Sequence, residues 1–203
     1  MIENLINTIK LAVKNLPGKE SQYKMAPSDR DLRITTKKTR KSAVLILLSE
    51  KDNEIYISFI KRQKYKGAHS GQIAFPGGKY EKKDKHLKET AYRETKEEIG
   101  IDRDKFEIIG ALTNLFIPVS AFDVYPFIAF AKEKLVYKKQ EYEVEKVFEL
   151  KLKDFLNTDN HHTETVNKNG IEITIPYYYI NNNKIWGATA MIISELIDIL
   201  KIK

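Results

Sequence analysis

Three glutamates lie close together in the chain, at Glu94, Glu97 and Glu98. In a helix, at roughly 100° per residue, their side chains project within roughly a 100° arc of one face. The apolar stripe that starts at Leu87 and Ala91 continues through two of these acids, so they point toward the core. Desolvated, mutually repelling carboxylates are costly unless a hard divalent cation such as Mg²⁺ joins them. The spacing therefore predicts a metal site that acts on phosphates.

An ordinary solvated helix end is the competing interpretation, because Lys88, Arg93 and Lys96 could form surface ion pairs with the acids. Two features favour the metal site. The segment Phe75-Pro76-Gly77-Gly78 predicts a tight turn before the helix, where a bare backbone can approach a ligand. Gly100 stands where a helix stop is expected.

The segment from Gly78 to Ile101 resembles the Nudix box, in which a glycine and a glutamate precede an Arg-Glu-x-x-Glu-Glu-x-Gly core at fixed spacing. Asp84 stands where the box has its first glutamate, one additional residue precedes Arg93, and Thr95 takes an aliphatic position. The arginine, the three glutamates and the glycine of the core are all present. The resemblance implies a Nudix-type α/β/α sandwich with a mixed β-sheet.

The same resemblance implies roles for individual residues. The metal is Mg²⁺ or Mn²⁺, and Arg93 is an orienting residue of the catalytic site that bonds Glu97 one turn away. The implied metal ligands are Gly77 through its carbonyl, Glu94, Glu97 and Glu98.

The lead-in from His69 to Gly78 resembles that of the coenzyme A pyrophosphatase-like branch of these hydrolases. This branch places two arginines ahead of the glycines; Arg62 matches the first, but Gly67 occupies the second position. Lys66 is an imperfect substitute, because a lysine cannot reproduce a bidentate arginine fork. Arg62, Lys66 and His69 are the candidate substrate-binding residues, each with a plain surface role as the alternative.

A carboxylate must also accept the proton of the attacking water. Glu98 is a candidate within the box. Glu143 and Glu145 lie in an acidic segment that resembles the distal one from which family members recruit a base, and Glu143 is preferred; exposed surface acids are the alternative. The run Tyr177 to Tyr179 offers stacking faces for an adenine, although alternation along a strand must turn some of them inward.

Three functions follow. The first, which the resemblance to the coenzyme A pyrophosphatase-like branch implies, is hydrolysis of the diphosphate linkage in coenzyme A or its derivatives, releasing 3′,5′-ADP and 4′-phosphopantetheine products. The second is the same reaction on another nucleoside diphosphate derivative, such as NADH, ADP-ribose or an oxidised dNTP, which Gly67 keeps open. The third is a non-catalytic nucleotide sensor, which the complete set of acids disfavours.

Composition limits the remaining choices. The 203 residues with 42% hydrophobic content suit one globular domain. The net charge of +7 favours anionic partners, but the basic run from Arg30 to Lys41 has no interleaved aromatics, so nucleic-acid binding is not expected. No apolar run is long enough to cross a bilayer and no signal-peptide order is seen, so a cytoplasmic protein is expected.

Hydrophobic patterns predict the elements. Helices are expected over 2–13, over the glutamate segment and over 186–202, and strands over 44–48, 54–61, 106–112, 124–131, 145–150, 171–175 and 177–180. Pro176 is expected at an edge or bulge. Residues 1–41 are expected to form an N-terminal helix and a basic connector, and 42–203 the Nudix hydrolase domain. The first helix packs on the domain or on a second copy, which would give a homodimer.

Overall fold

The structure is a computed structural model that describes residues 2–32, 38–67 and 69–201. Within these ranges the α-helices are α1 (Ile2–Ala12), α2 (Lys19–Tyr23), α3 (Leu87–Ile99) and α4 (Gly187–Lys201). Its strands are β1 (Arg40–Lys51), β2 (Glu54–Arg62), β3 (Ile73–Ala74), β4 (Gly77–Lys79), β5 (Phe106–Ala111), β6 (Leu115–Ile117), β7 (Phe122–Ala131), β8 (Val144–Lys151), β9 (His161–Lys168), β10 (Ile171–Ile180) and β11 (Asn183–Trp186).

The main sheet is mixed, as predicted. Its strand order is β3-β2-β1-β7-β5, with β4 paired to β1, β6 to β7 and β8 to β2. Strands β1 and β7 run parallel. The other pairs of this sheet are antiparallel, including the β1–β2 hairpin. A second antiparallel sheet has the order β11-β10-β9.

Strand β1 is buried on both faces, which explains its continuous apolar run. Leu45 and Leu47 belong to a core shared with α3, whereas Ile46 and Leu48 belong to a core shared with α4. Alternation along the strand thus sends successive side chains to opposite helical layers. The expected α/β/α sandwich is confirmed.

The N-terminal segment packs on the domain. Glu195 of α4 is fully buried and accepts hydrogen bonds from the Gly18 amide at 3.2 Å and the Gln22 side chain at 2.9 Å. It also accepts one from the Thr113 amide at 3.3 Å. Ser194, the residue before it, donates to the Ser21 carbonyl at 2.7 Å. One buried carboxylate therefore joins the N-terminal segment, α4 and the loop between β5 and β6.

Some element predictions need correction. The expected connector contains helix α2, and the predicted pair of strands around Pro176 is the single strand β10. Pairing with β11 stops at Tyr177, so Pro176 has a paired neighbour only on the β9 side and lies where β10 has an open edge. Strands β3, β4, β6 and β11, which have two to four residues, and the polar strand β9 had no clear periodic signal. Residues 33–37 of the connector lie outside the described part, and the division at residue 41 stays a prediction.

None of the helices within the described ranges is long and apolar enough to span a bilayer.

Candidate active site

The predicted turn at 75–78 is a bend at Pro76 followed by strand β4, which holds both glycines. We keep the name glycine turn for this segment; it meets the acidic helix beside the middle of the main sheet. Strand β4 pairs with β1 through Gly77 and Gly78, and α3 packs against both strands. Helix α3 begins after His86, whose Nδ1 accepts a hydrogen bond from the Glu89 amide at 3.3 Å. It ends at Gly100, which has a left-handed backbone at φ 72° and bonds the Lys96 carbonyl. Both ends of the glutamate helix are thus fixed by local sequence.

Glu94 lies directly against the glycine turn. A Cβ atom added to Gly78 would stand 2.4 Å from the Glu94 carboxylate, so only a bare backbone leaves room for this side chain. Arg93 Nη1 donates to Glu94 at 2.8 Å, yet burial raises the pKa of Glu94, and the Arg93 charge offsets this only in part. The carboxylate is therefore desolvated without full compensation.

Glu98 is almost completely buried, with 2% of its side chain exposed. It accepts a hydrogen bond from the Gly77 amide at 2.8 Å and lies 3.6 Å from Arg62 Nη1. Burial raises the pKa of Glu98 to about 7, against the lowering effects of Arg62 and the Gly77 amide. Arg62 Nη2 also donates to the Gly77 carbonyl at 3.1 Å. Arg62 thus holds the glycine turn and Glu98 together.

Arg93 is the centre of a polar network. Its Nε and Nη2 donate to the two carboxylate oxygens of Asp84, both at 3.0 Å, and Nη2 also donates to the Lys79 carbonyl at 3.0 Å. Its Nη1 donates to Glu97 at 2.9 Å, as the sequence predicted. The bidentate pairing with Arg93 holds the pKa of the buried Asp84 well below its usual range. Asp84, at the first acidic position of the box, therefore anchors Arg93, and the additional residue before α3 does not prevent this contact.

The acid set fits a hard divalent cation by its chemistry. It offers carboxylate oxygens, which are the ligands that such a cation prefers. Two of the carboxylates, those of Glu94 and Glu98, are largely or almost completely buried, and their negative charge is incompletely compensated. Within the described ranges, no three acidic or imidazole side chains stand close enough together to hold a metal ion in their present conformations. Arg93 holds Glu94 and Glu97, and Arg62 faces Glu98. In this structure the positive charges that lie against these carboxylates are therefore those of the two arginines.

The three glutamates line a cleft with a volume of about 1200 Å³. Of the candidate substrate-binding residues, Arg62 and His69 line it, whereas Lys66 is exposed and is absent from its lining. A Cβ atom at Gly67 would stand 2.4 Å from the ring of Tyr65, which lines the cleft. The missing arginine position is thus covered by an aromatic ring. The roles of Arg62, Lys66 and His69 stay predictions.

The candidate bases differ in their surroundings. Glu143 lines the cleft, and its charge raises the pKa of both Glu94 and Glu98. Glu145 is absent from the lining and forms an ion pair with Lys61 at 2.6 Å. None of the tyrosines at 177–179 lines the cleft, so their expected adenine contact has no support. Tyr178 is instead buried in the core.

Two features of the site were missed by sequence reasoning. The anchoring role of Asp84 had one signal, its place in the box, but its contact with Arg93 spans nine residues of turn and helix. The position of the Tyr65 ring beside Gly67 could not be predicted from the sequence, in which only the glycine marked this site. Neither contact follows from a repeating pattern.

Alanine substitution at the two glycines of β4 is expected to separate folding from activity. At Gly77, with φ 152°, a Cβ atom would stand 2.3 Å from the Ala43 carbonyl oxygen, so Gly77→Ala is expected to cost about 2–4 kcal/mol of unfolding free energy. At Gly78 the three atoms nearest to an added Cβ atom all belong to the Glu94 carboxylate, which can move, so Gly78→Ala should fold normally and lose roughly 100-fold in kcat. Urea unfolding and steady-state kinetics check both variants; equal stability losses would contradict this assignment.

Comparison with known proteins agrees with this geometry. Residues 39–166 match the NUDIX domain family. The chain is 34% identical over 157 residues to a protein named uncharacterized Nudix hydrolase NudL from Enterobacter sp. (strain 638), covering 77% of this chain and 81% of that one. It is 34% identical over 129 residues to the protein of the same name from Photorhabdus laumondii, covering 64% of this chain and 68% of that one.

Among solved structures, the fold is similar to that of the MutT protein from Methanosarcina mazei Go1, with a TM-score of 0.53 and 21% identity. The match covers 83% of this chain and 99% of that one. At this identity it supports the fold alone. The family match and the sequence relatives, taken with the glycine turn and acidic helix described above, show that this chain belongs to the Nudix family and is a Nudix hydrolase.

Proposed function

We propose that this Nudix hydrolase uses Mg²⁺ or Mn²⁺ to hydrolyse the diphosphate linkage of coenzyme A or its derivatives. The products are 3′,5′-ADP and a 4′-phosphopantetheine product. The observation that carries the proposal is the placement of desolvated Glu94 and Glu98 against the glycine turn, inside one large cleft. Nudix hydrolases generally act on nucleoside diphosphate derivatives with a divalent metal; the choice of coenzyme A and of these two ions is the new step.

The residues that would hold the metal are Glu94, Glu97, Glu98 and the Gly77 carbonyl. When bound, the cation neutralises phosphate charge and makes water a stronger nucleophile. Arg93 keeps Glu94 and Glu97 oriented through its bonds at 2.8 and 2.9 Å. Arg62 does the same for Glu98 and the Gly77 carbonyl.

Glu143 is our choice for the general base. It lines the cleft, and within the described residues its carboxylate has no hydrogen-bond or ion-pair partner that would hold it away from water. Glu98, in contrast, is engaged by the Gly77 amide and lies beside Arg62. A base must be free to accept a proton, which favours the exposed residue at the cleft.

Coenzyme A is preferred because the segment ahead of the glycine turn resembles that of coenzyme A pyrophosphatases. The ring of Tyr65 at the missing arginine position favours a second candidate, hydrolysis of another nucleoside diphosphate derivative such as NADH, ADP-ribose or an oxidised dNTP. An aromatic ring beside a phosphate site offers a stacking face for a base and no charge for an additional phosphate.

Product analysis decides between these candidates. Purified protein is incubated with Mg²⁺ or Mn²⁺ and with coenzyme A, acetyl-coenzyme A, NADH, ADP-ribose or 8-oxo-dGTP. Preferential release of 3′,5′-ADP from coenzyme A is expected; faster cleavage of another compound would select the second candidate. If metal binds and none of these compounds is cleaved, the result would favour the third function, a non-catalytic nucleotide sensor.

The same assay tests the general base. Glu143→Gln should lower kcat roughly 100-fold or more, because the proton acceptor is removed. Glu145→Gln, which changes the neighbouring ion-paired glutamate, should leave kcat unchanged.

The cytoplasmic location and the homodimer expected from the sequence remain parts of this proposal. Gel filtration with light scattering tests the second, and a monomer would remove it.

A further inference from the structure

The two arginines of the site are held very differently. Arg93 has 14% of its side chain exposed, donates to both oxygens of the buried Asp84 carboxylate at 3.0 Å and also bonds the Lys79 carbonyl. Its bonds to Glu94 and Glu97 are two among several. Withdrawing Arg93 would leave the buried Asp84 charge without its partner, which is strongly unfavourable. Arg93 is therefore fixed in its present position.

Arg62 has fewer and weaker bonds. Its guanidinium donates one hydrogen bond, from Nη2 to the Gly77 carbonyl at 3.1 Å, and makes one longer ionic contact of 3.6 Å, from Nη1 to Glu98. Neither contact is bidentate, and 24% of the side chain is exposed where it lines the cleft. The register of the β2–β8 pair also shifts between Lys61 and Arg62, an irregularity that re-aims a side chain. Of the two arginines, Arg62 is the one that can move.

Both groups that Arg62 contacts are among the proposed metal ligands, the Gly77 carbonyl and the Glu98 carboxylate. Glu98 is 2% exposed, and the charges of Glu94 and Glu143 act on it, so its carboxylate needs a positive charge beside it whether or not a metal is present. A guanidinium and a divalent cation at the same oxygens would repel each other at contact distance. Arg62 therefore keeps these two groups oriented only until a cation takes over its contacts.

The arrangement of the acids also requires a movement. Within the described ranges, no three acidic or imidazole side chains stand ready to hold a metal ion, so side chains must shift before one binds. We propose that Arg62 is a stand-in for the metal: it neutralises Glu98 in the metal-free protein and turns into the cleft when the cation binds. There its planar guanidinium can bind the substrate diphosphate in a bidentate contact. This inference rests on the proposed function, whose metal ligands it uses.

Chemical modification follows Arg62 in the wild-type protein. Phenylglyoxal, which reacts with accessible guanidinium groups, is applied in EDTA or in Mn²⁺, and the labelled arginines are identified by mass spectrometry. Arg62 should react several-fold faster in Mn²⁺. Arg103 is the control, because its side chain is 63% exposed and lies outside the cleft lining, and its labelling should be equal in both. Unchanged or slower labelling of Arg62 in Mn²⁺ would overturn the proposal.

Removing the charge of Arg62 tests its competition with the metal. Arg62→Met keeps a long side chain without the guanidinium, so its affinity for Mn²⁺ in calorimetry should rise about 10-fold, because no charged contact has to be broken. The same change at Arg103 should leave the affinity as it is. An arginine that only oriented its two partners would give the reverse, and Mn²⁺ binding to Arg62→Met that is equal to or weaker than wild type contradicts the stand-in role. The labelling experiment needs no variant and decides the question even if Arg62→Met is unstable.

A ligand that cannot be hydrolysed tests the second position of Arg62. The probe is α,β-methylene-ADP, and its binding is followed by the fluorescence of Trp186, the one tryptophan of the sequence, which lines the cleft. Arg62→Met should weaken this binding about 10-fold in Mn²⁺ and less than about 2-fold in EDTA. Equal losses in both conditions would show that Arg62 meets the ligand without being displaced, and would refute the proposal.

The calorimetry separates the two levels of inference. If the wild-type protein binds no Mn²⁺, the metal part of the proposed function fails and the stand-in role fails with it. If Mn²⁺ binds and supports cleavage, but neither the labelling of Arg62 nor the effect of Arg62→Met depends on the metal, only the stand-in role is refuted.

Discussion

Replacing Glu98 by glutamine is expected to reduce kcat by more than about 100-fold while the protein stays folded. Loss of an outer-shell partner of a metal site typically costs about 10–100-fold, and Glu98 is assigned a more direct position. The glutamine oxygen can still accept the Gly77 amide at the 2.8 Å contact, and it removes a charge from a site where burial raises the pKa of Glu98. Steady-state kinetics and thermal unfolding give the two readouts.

Calorimetric titration with Mn²⁺ gives a third readout of the Glu98→Gln variant. Its affinity for Mn²⁺ should fall together with its turnover. The control is Glu133→Gln, because Glu133 is exposed and pairs with Lys105 away from the cleft. Normal turnover in Glu98→Gln would remove Glu98 from the metal site. Lost turnover with unchanged Mn²⁺ binding would assign it a role other than ligand.

Replacing Arg93 by alanine is expected to destabilise the protein by about 3–5 kcal/mol, because it leaves the buried Asp84 charge without its partner. Only 14% of the Arg93 side chain is exposed, so solvent screening is weak. Activity should also fall sharply, since Glu94 and Glu97 lose the group that orients them. Urea unfolding at neutral pH measures the stability loss.

The pH dependence of this loss has a defined sign. The pKa of Asp84 is lowered in the folded state, so its pairing with Arg93 stabilises the protein above its unfolded pKa of about 3.9 and stops doing so as the pH falls further. The gap in unfolding free energy between wild type and Arg93→Ala should narrow below about pH 4. Arg103→Ala, on an exposed pair with Glu89, should cost at most about 1 kcal/mol. If Arg93→Ala lost as little unfolding free energy as Arg103→Ala, the stabilising role of the Arg93 network would be refuted.

Glu98 and Arg93 are expected to differ in what their substitution changes. Glu98 is expected to affect chemistry with little effect on stability, whereas Arg93 affects both because it joins the turn, the helix and two acids. Gly78 resembles Glu98 in this respect, and Gly77 resembles Arg93. Glutamine can keep the bond of Glu98 to the Gly77 amide, whereas alanine at Arg93 removes every partner of the buried Asp84 charge that the guanidinium supplies.

Local patterns were sufficient for the elements that carry the acids. The sequence alone determined helix α3, its stop at Gly100 and the shared face of Glu94 and Glu98, because helical periodicity and capping depend on residues within a turn or two. It also determined that β1 is a buried strand, since an apolar run of that length requires cover on both faces. The bond between Arg93 and Glu97 follows from the same spacing.

Only the tertiary structure decided which side chains meet in the cleft. The pairing of Asp84 with Arg93, the fit of Glu94 against Gly78 and the bond from Arg62 to Gly77 all join separate segments. The cleft is lined by strands far apart in the sequence, and no alternation within one strand indicates a shared wall. Such contacts depend on strand order and on the path of the connections, which local propensity does not encode.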